Sequence, residues 1–149
     1  MSGIQIAAVA PGSPDWERLA AFAESCSWRA GASLARDMRN GAFSDWERVF
    51  AAKCGGEFAG FCTLAGKDCI ENLPYSPYIG YVFVDEPYRG QRFSQKMIDA
   101  AAEYARSLGF EAVYLISDHE NLYEKYGFEV IDRQMAPWGE MEKIYRRLI

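Results

Sequence analysis

The stretch from Tyr78 to Gly109 constrains this chain most, because it reads as strand, turn and helix without interruption. Residues 78–84, Tyr-Ile-Gly-Tyr-Val-Phe-Val, have the aromatic and β-branched composition of a buried or half-buried strand. Asp85-Glu86-Pro87 ends that strand, since proline has no N–H to give a ladder. From Ser94 onward, Met97, Ile98, Ala101, Ala102, Ala105 and Leu108 recur at the 3.6-residue period of one helix face. Gly109 then stops the helix as a left-handed cap. Between strand and helix lies a basic, glycine-bearing turn, Tyr88-Arg89-Gly90-Gln91-Arg92-Phe93-Ser94. A turn that opens directly into a helix points unpaired backbone N–H groups at one spot. The positive end of the helix dipole adds to them, so the spot suits a phosphate or pyrophosphate.

At 149 residues, half of them apolar, the chain reads as one domain over 1–149 with a real core rather than a disordered segment. It has no run of roughly 18 apolar residues, so no membrane span is expected. Its first residues, Met-Ser-Gly-Ile-Gln-Ile, lack a basic region followed by an apolar one, and a cytoplasmic address is the expectation. Sixteen basic and 21 acidic residues give a formal charge of −5. That balance argues against nucleic-acid binding, which runs on phosphate neutralisation, and is compatible with a cationic small molecule as partner. Cys26, Cys54, Cys62 and Cys69 form no C-x-x-C pair and only one histidine is present, so no metal site is expected. The four thiols read as free, and Cys62, inside an apolar strand pattern, reads as packing rather than nucleophile.

Taken in order, Ile4 to Val9 predicts a strand, and Ser13-Pro14 predicts a helix start with Ser13 as N-cap. Trp16, Leu19, Ala20, Phe22, Ala23 and Cys26 make an apolar helix stripe, and a second helix runs from about Gly31 to Arg39. Trp46–Lys53 and Phe58–Ala65 predict a β-hairpin around Cys54-Gly55-Gly56-Glu57. A polar connection, Gly66 to Pro77, carries Glu71 and Tyr75. After Gly109, Ala112–Ile116 predicts a strand parallel to the one before the helix. A short helix over Asn121–Tyr126 and a closing hairpin, Val130–Gln134 with Lys143–Ile149, complete the order. Leu108-Gly109-Phe110 and Tyr126-Gly127-Phe128 repeat one device: helix, glycine cap, apolar entry into a strand. The expected fold is α+β, with a mixed sheet flanked by helices.

This order of elements, with two local motifs, resembles the GNAT superfamily of N-acetyltransferases. A motif of the form Arg/Gln-x-x-Gly-x-Gly/Ala, which holds the acetyl-CoA pyrophosphate in that family, matches Arg89, Gly90, Gln91, Arg92, Phe93 and Ser94. A Leu-Tyr-x-Lys-x-Gly-Phe segment matches Leu122-Tyr123-Glu124-Lys125-Tyr126-Gly127-Phe128. The resemblance implies a sheet of about seven strands with about four helices. It implies acetyl-CoA as co-substrate, bound by Val82, Phe83, Val84, Arg89, Gly90, Gln91, Arg92, Phe93, Ser94 and Gln95. The family's glycine falls on Arg92. Arg92 either takes a conformation open to other residues, its guanidinium pairing a phosphate, or damages the cradle.

The same resemblance implies that the strand 78–84 splays from the next one and leaves backbone N–H groups near Val82–Val84 free to stabilise the thioester oxygen. Gly80 in this strand marks either a bulge or a close approach, or simply a packing gap. Tyr123 matches the family's general acid, while Glu71, Asp85 and Glu86 are candidate bases. Trp28, Trp46, Tyr75, Tyr78 and Trp138 are candidate walls for an amine acceptor, of a small molecule or a peptide. An alternative is an acyl-CoA-binding sensor or accessory domain that keeps the fold without turnover. The acceptor, the acyl chain length and the oligomeric state, homodimer included, are left open by the sequence.

Overall fold

The computed structural model describes residues 3–149, so Met1 and Ser2 of the expected unit lie outside the described residues. Its elements are β1 (Ile4–Val9), α1 (Trp16–Ser25), α2 (Ala30–Arg39), β2 (Arg48–Cys54), β3 (Glu57–Ala65), β4 (Tyr78–Val84), α3 (Phe93–Ser107), β5 (Ala112–Ser117), β6 (Glu129–Met135) and β7 (Met141–Leu148). Seven strands form one sheet in the order β1-β2-β3-β4-β5-β7-β6. Only β4 and β5 run parallel, as the crossover through α3 requires; the other neighbours are antiparallel.

Side chains alternate between the two faces of a strand. Phe50 and Ala52 of β2 therefore join Leu64, Met97, Ile98 and Val113 in the core under α3. Val49 and Ala51 join Leu19, Leu34, Phe61 and Phe83 in the core under α1 and α2. Met97 and Ile98, both fully buried, each contribute about 1.5–3 kcal/mol by leaving water.

Among the described residues three α-helices are present rather than about four. The short helix expected over 121–126 is a 3-10 turn, Tyr123–Tyr126, because Asn121 sits at φ +59° and cannot begin a right-handed helix. Gly109 and Gly127 are both left-handed, at φ +95° and +90°. They close their turns identically: Gly109 and Phe110 donate to Arg106 and Ala105, and Gly127 and Phe128 donate to Glu124 and Tyr123. Ser13 does not cap α1. Its hydroxyl is buried without a partner, and its carbonyl instead accepts the Trp16 N–H at 3.0 Å. Nor does Trp46 open β2: residues 44–47 form a turn in which Glu47 accepts the Ser44 N–H, and Trp46 packs on Phe110 beneath α3.

Candidate functional site

Two irregularities of β4 define the site. Against β3, Phe83 pairs with Phe61 and Gly80 with Thr63, so Tyr81 and Val82 together face the single residue Cys62. This is a bulge, and Tyr81 carries it at φ +49°. Against β5, the register holds at one pair, Tyr78 with Tyr114, where the Tyr114 N–H donates to the Pro77 carbonyl at 2.9 Å. Beyond it the strands part, and the β5-facing backbone of β4 from Ile79 to Val84 has no partner strand.

At the far end of this gap the chain turns through Glu86–Tyr88, a 3-10 turn, into α3. Arg92 occupies the N-cap of α3 at φ +63°, ψ +27°, the left-handed conformation that a glycine would take freely. No side chain caps α3 and no acid lies in its first turn, so its leading N–H groups are left for a ligand. Val84, Arg89, Gly90, Arg92, Phe93, Ser94 and Tyr126 enclose a hollow of about 270 Å³ there. Gln91 and Gln95 flank the hollow without lining it. Arg89 is tethered, its Nε donating to the Val84 carbonyl at 2.9 Å. Phe83 turns its ring away, under Trp28, and Val82 faces the α3 core, so on β4 only backbone reaches the gap from these two.

Tyr123, 6% exposed, lies on the α3 side of the sheet among Tyr126, Phe128, Tyr145 and His119. Burial, followed by Tyr126, Cys62 and Tyr145, pushes its phenol up to about 12, so it keeps its proton throughout the neutral range. Cys62 is fully buried and its thiol is raised by burial too. It is a packing residue.

The opposite face of β4 carries a hollow of about 640 Å³ walled in part by Asp37, Glu47, Thr63, Asp68, Tyr78 and Tyr81. Asp68 is the residue that sequence reasoning missed. A methyl group on Gly80 would come within 3.1 Å of Asp68 Oδ2 and 3.2 Å of Thr63 Oγ1. Gly80 therefore marks a close approach, and the bulge sits on its neighbour. Desolvation raises the Asp68 carboxyl to about 6, although Oδ1 accepts the Cys69 N–H. Trp28 stacks on Phe83 (5.8 Å between ring centres) on this same face.

The remaining candidates are dispersed. Tyr75 and Glu71 line a neighbouring hollow of about 370 Å³, which Tyr78 shares. Tyr75 stacks on Tyr114 and donates to Asp132. Asp85 caps the Glu86–Tyr88 turn and lines a further hollow beside α1 with Arg18. Neither Glu71 nor Asp85 shares a hollow with Asp68. Trp138, 55% exposed, stands at the β6–β7 hairpin tip and walls none of these hollows. Among the described residues no cluster of three or more His, Cys, Asp or Glu could hold a metal, and no helix is long and apolar enough to cross a membrane.

A model of the acetyltransferase (GNAT) family matches residues 14–128. No curated protein matches in sequence. Among solved structures, an aminoglycoside 6′-acetyltransferase type Ii superposes with a TM-score of 0.72 at 17% identity, over 97% of this chain and 96% of its own. A GNAT family N-acetyltransferase (YhbS) from Escherichia coli in complex with CoA gives 0.69 at 21% identity, over 99% and 81%. A GNAT acetyltransferase from Streptococcus pneumoniae gives 0.69 at 17%, over 99% and 100%.

Proposed function

Because this chain belongs to the acetyltransferase (GNAT) family, we propose that it moves an acetyl group from acetyl-CoA to a primary amine of a small molecule or peptide by direct attack. The observation that carries the proposal is the uncapped first turn of α3 beside the open edge of β4.

In this reading the leading N–H groups of α3, with the Arg92 guanidinium, hold the pyrophosphate. The unpaired edge of β4 receives the pantetheine arm as an added strand. Backbone N–H groups past the Tyr81 bulge stabilise the carbonyl oxygen as it gains charge. Tyr123 donates its phenol hydrogen to the departing sulfur. A phenol near 12 is a poor acid toward a thiolate in water, whose pKa is about 8.5. Burial raises thiols as well, as at Cys62, so donor and acceptor in the same dry site remain matched. The reading puts the protein in the cytoplasm, which its four free cysteines support.

Thiol release from acetyl-CoA, followed with a panel of polyamines, aminoglycosides and peptide N-termini, tests the proposal. Amine-dependent release with matching N-acetyl product is expected. Binding of acetyl-CoA without release by any amine would overturn catalysis and leave an accessory acyl-CoA-binding domain.

A further inference from the structure

We infer that the hollow bounded by Asp37, Asp68, Tyr78 and Tyr81 receives the acceptor as an ammonium ion, and that Asp68 takes the proton which that ion loses before attack. The inference rests on the acetyl-transfer reading above and assigns that site its substrate class and its base.

Position is the first argument. Asp68 Oδ2 and Thr63 Oγ1 lie against Gly80, next to the Tyr81 bulge and within the stretch of β4 that has parted from β5. A carboxylate there stands where an attacking nitrogen would approach from the α1/α2 face. The second argument is Tyr78. It is 3% exposed, its hydroxyl is buried without a partner among the described residues, and it lines the same hollow. Buried polar groups left unpaired are few in folded proteins, and a small polar shift on ligand binding beside this wall would give this one a partner.

Charge is the third argument. Of the carboxylates in the wall, Glu47 is already engaged, accepting the N–H groups of Ser44 and Gly66 at 2.8 and 2.6 Å. Asp37 accepts only a long bond, 3.4 Å, from Tyr81. Asp37 and Asp68 are therefore the two carboxylates free for a ligand, with Lys67 the one basic residue in the wall. The groups facing Asp68 are Asp37, Glu47, Lys67, Cys69, Tyr78 and Tyr81, and their balance favours a cation. A volume of about 640 Å³ accommodates an acceptor with a second amino group directed at Asp37.

A free carboxyl and a free alkylammonium differ by about 6 pKa units, too many for ready transfer. Burial narrows this from the carboxyl side, raising Asp68 to about 6. The first ammonium proton passes to Asp68 and on to solvent. The freed lone pair forms the C–N bond at the thioester carbon, and the C–S bond breaks with its electron pair leaving on sulfur. The second proton of the nitrogen ends on that sulfur by way of the Tyr123 phenol. One proton is released per amide formed.

The test is thiol release from acetyl-CoA with 1,4-diaminobutane and with n-butylamine, for wild type, Asp68→Asn, Asp68→Glu and Asp37→Asn, across pH 5–9. Asp68→Asn is expected to lower kcat/KM for the diamine by about 100-fold and to erase an acid limb near pH 6, with acetyl-CoA affinity unchanged. Asp68→Glu restores part of the rate. Asp37→Asn raises the KM for the diamine and removes its advantage over n-butylamine. Asp68→Asn within threefold of wild type at every pH would overturn the inference, and so would loss of acetyl-CoA affinity in step with rate. A wild type that releases no thiol with any amine sinks the acetyl-transfer reading itself. An active wild type with an equally active Asp68→Asn sinks only the assignment of Asp68.

Discussion

Ser94 Oγ and Tyr126 Oη lie 2.9 Å apart, which ties the first turn of α3 to the 3-10 turn that carries Tyr123. The hollow at the N-terminus of α3 and the buried phenol are therefore held at a fixed spacing by one bond. Tyr126 itself is part of the wall of that hollow.

Removing this bond should loosen the anchor without abolishing chemistry. Tyr126→Phe is expected to cost about 0.5–1.5 kcal/mol in stability and to raise the acetyl-CoA KM severalfold. Ser94→Ala should do the same. Because both variants delete one interaction, the double variant should be no worse than either alone, as denaturant midpoints and KM values in a double-mutant cycle would show.

Tyr123→Phe removes the hydrogen donor and keeps the ring packed on Tyr145 and Phe128. A loss of 100-fold or more in kcat is expected, with little change in acetyl-CoA KM. Since the phenol is pushed up to about 12, the loss should be uniform from pH 6 to 9. A rate equal to wild type would assign the ring to packing alone.

Arg92 at φ +63° bears a left-handed strain of roughly 1–2 kcal/mol. Arg92→Gly relieves it but frees the unfolded chain, so the melting temperature should shift by only a few degrees in either direction. Acetyl-CoA affinity should fall about tenfold as the guanidinium is lost, and titration calorimetry separates the two effects. Affinity that holds or improves would remove Arg92 from the ligand contacts.

Asp68→Asn should stabilise the fold while it slows the reaction. Folding raises the Asp68 carboxyl from 3.8 to about 6, so the folded state holds that proton more tightly than the unfolded one. Stability then falls as pH rises between these values, and the penalty is complete above pH 6. The amide carries no such penalty. The variant should gain on the order of 3 kcal/mol at pH 8, shrinking toward nothing near pH 4, in melts at both pH values.

What local chemistry decides was legible in the sequence. Gly109 and Gly127 could be assigned as caps because a positive φ between a helix and an apolar strand leaves few other residues. The strand, turn and helix over 78–109 follow from period and proline, and the parallel pairing of β4 and β5 follows from the crossover. Ser13 misled because its capping geometry depends on where α1 begins, and α1 begins late, at Trp16. Asp68 was hidden for a different reason. Residues 66–77 read as a polar surface connection, whereas the half-buried Asp68 carboxyl folds back against Gly80 of β4 and Thr63 of β3 and is desolvated there. Gly80 left a bulge, a close approach and a packing gap all open, and the fold decides for the approach of Asp68 and Thr63. Likewise Glu71 and Asp85 had the right chemistry for a base, but the backbone carries them into separate hollows.

The single rung between Tyr78 and Tyr114 gives the sheet a mechanical property of its own. Four strands on one side and three on the other form two jaws that meet in the ladder at that rung alone, while the core under α3 packs against both. Asp68 rides on the first jaw, and Tyr123 leans on Tyr145 of the second. The packing of that core sets the angle between the jaws, and with it the reach between carboxylate and phenol.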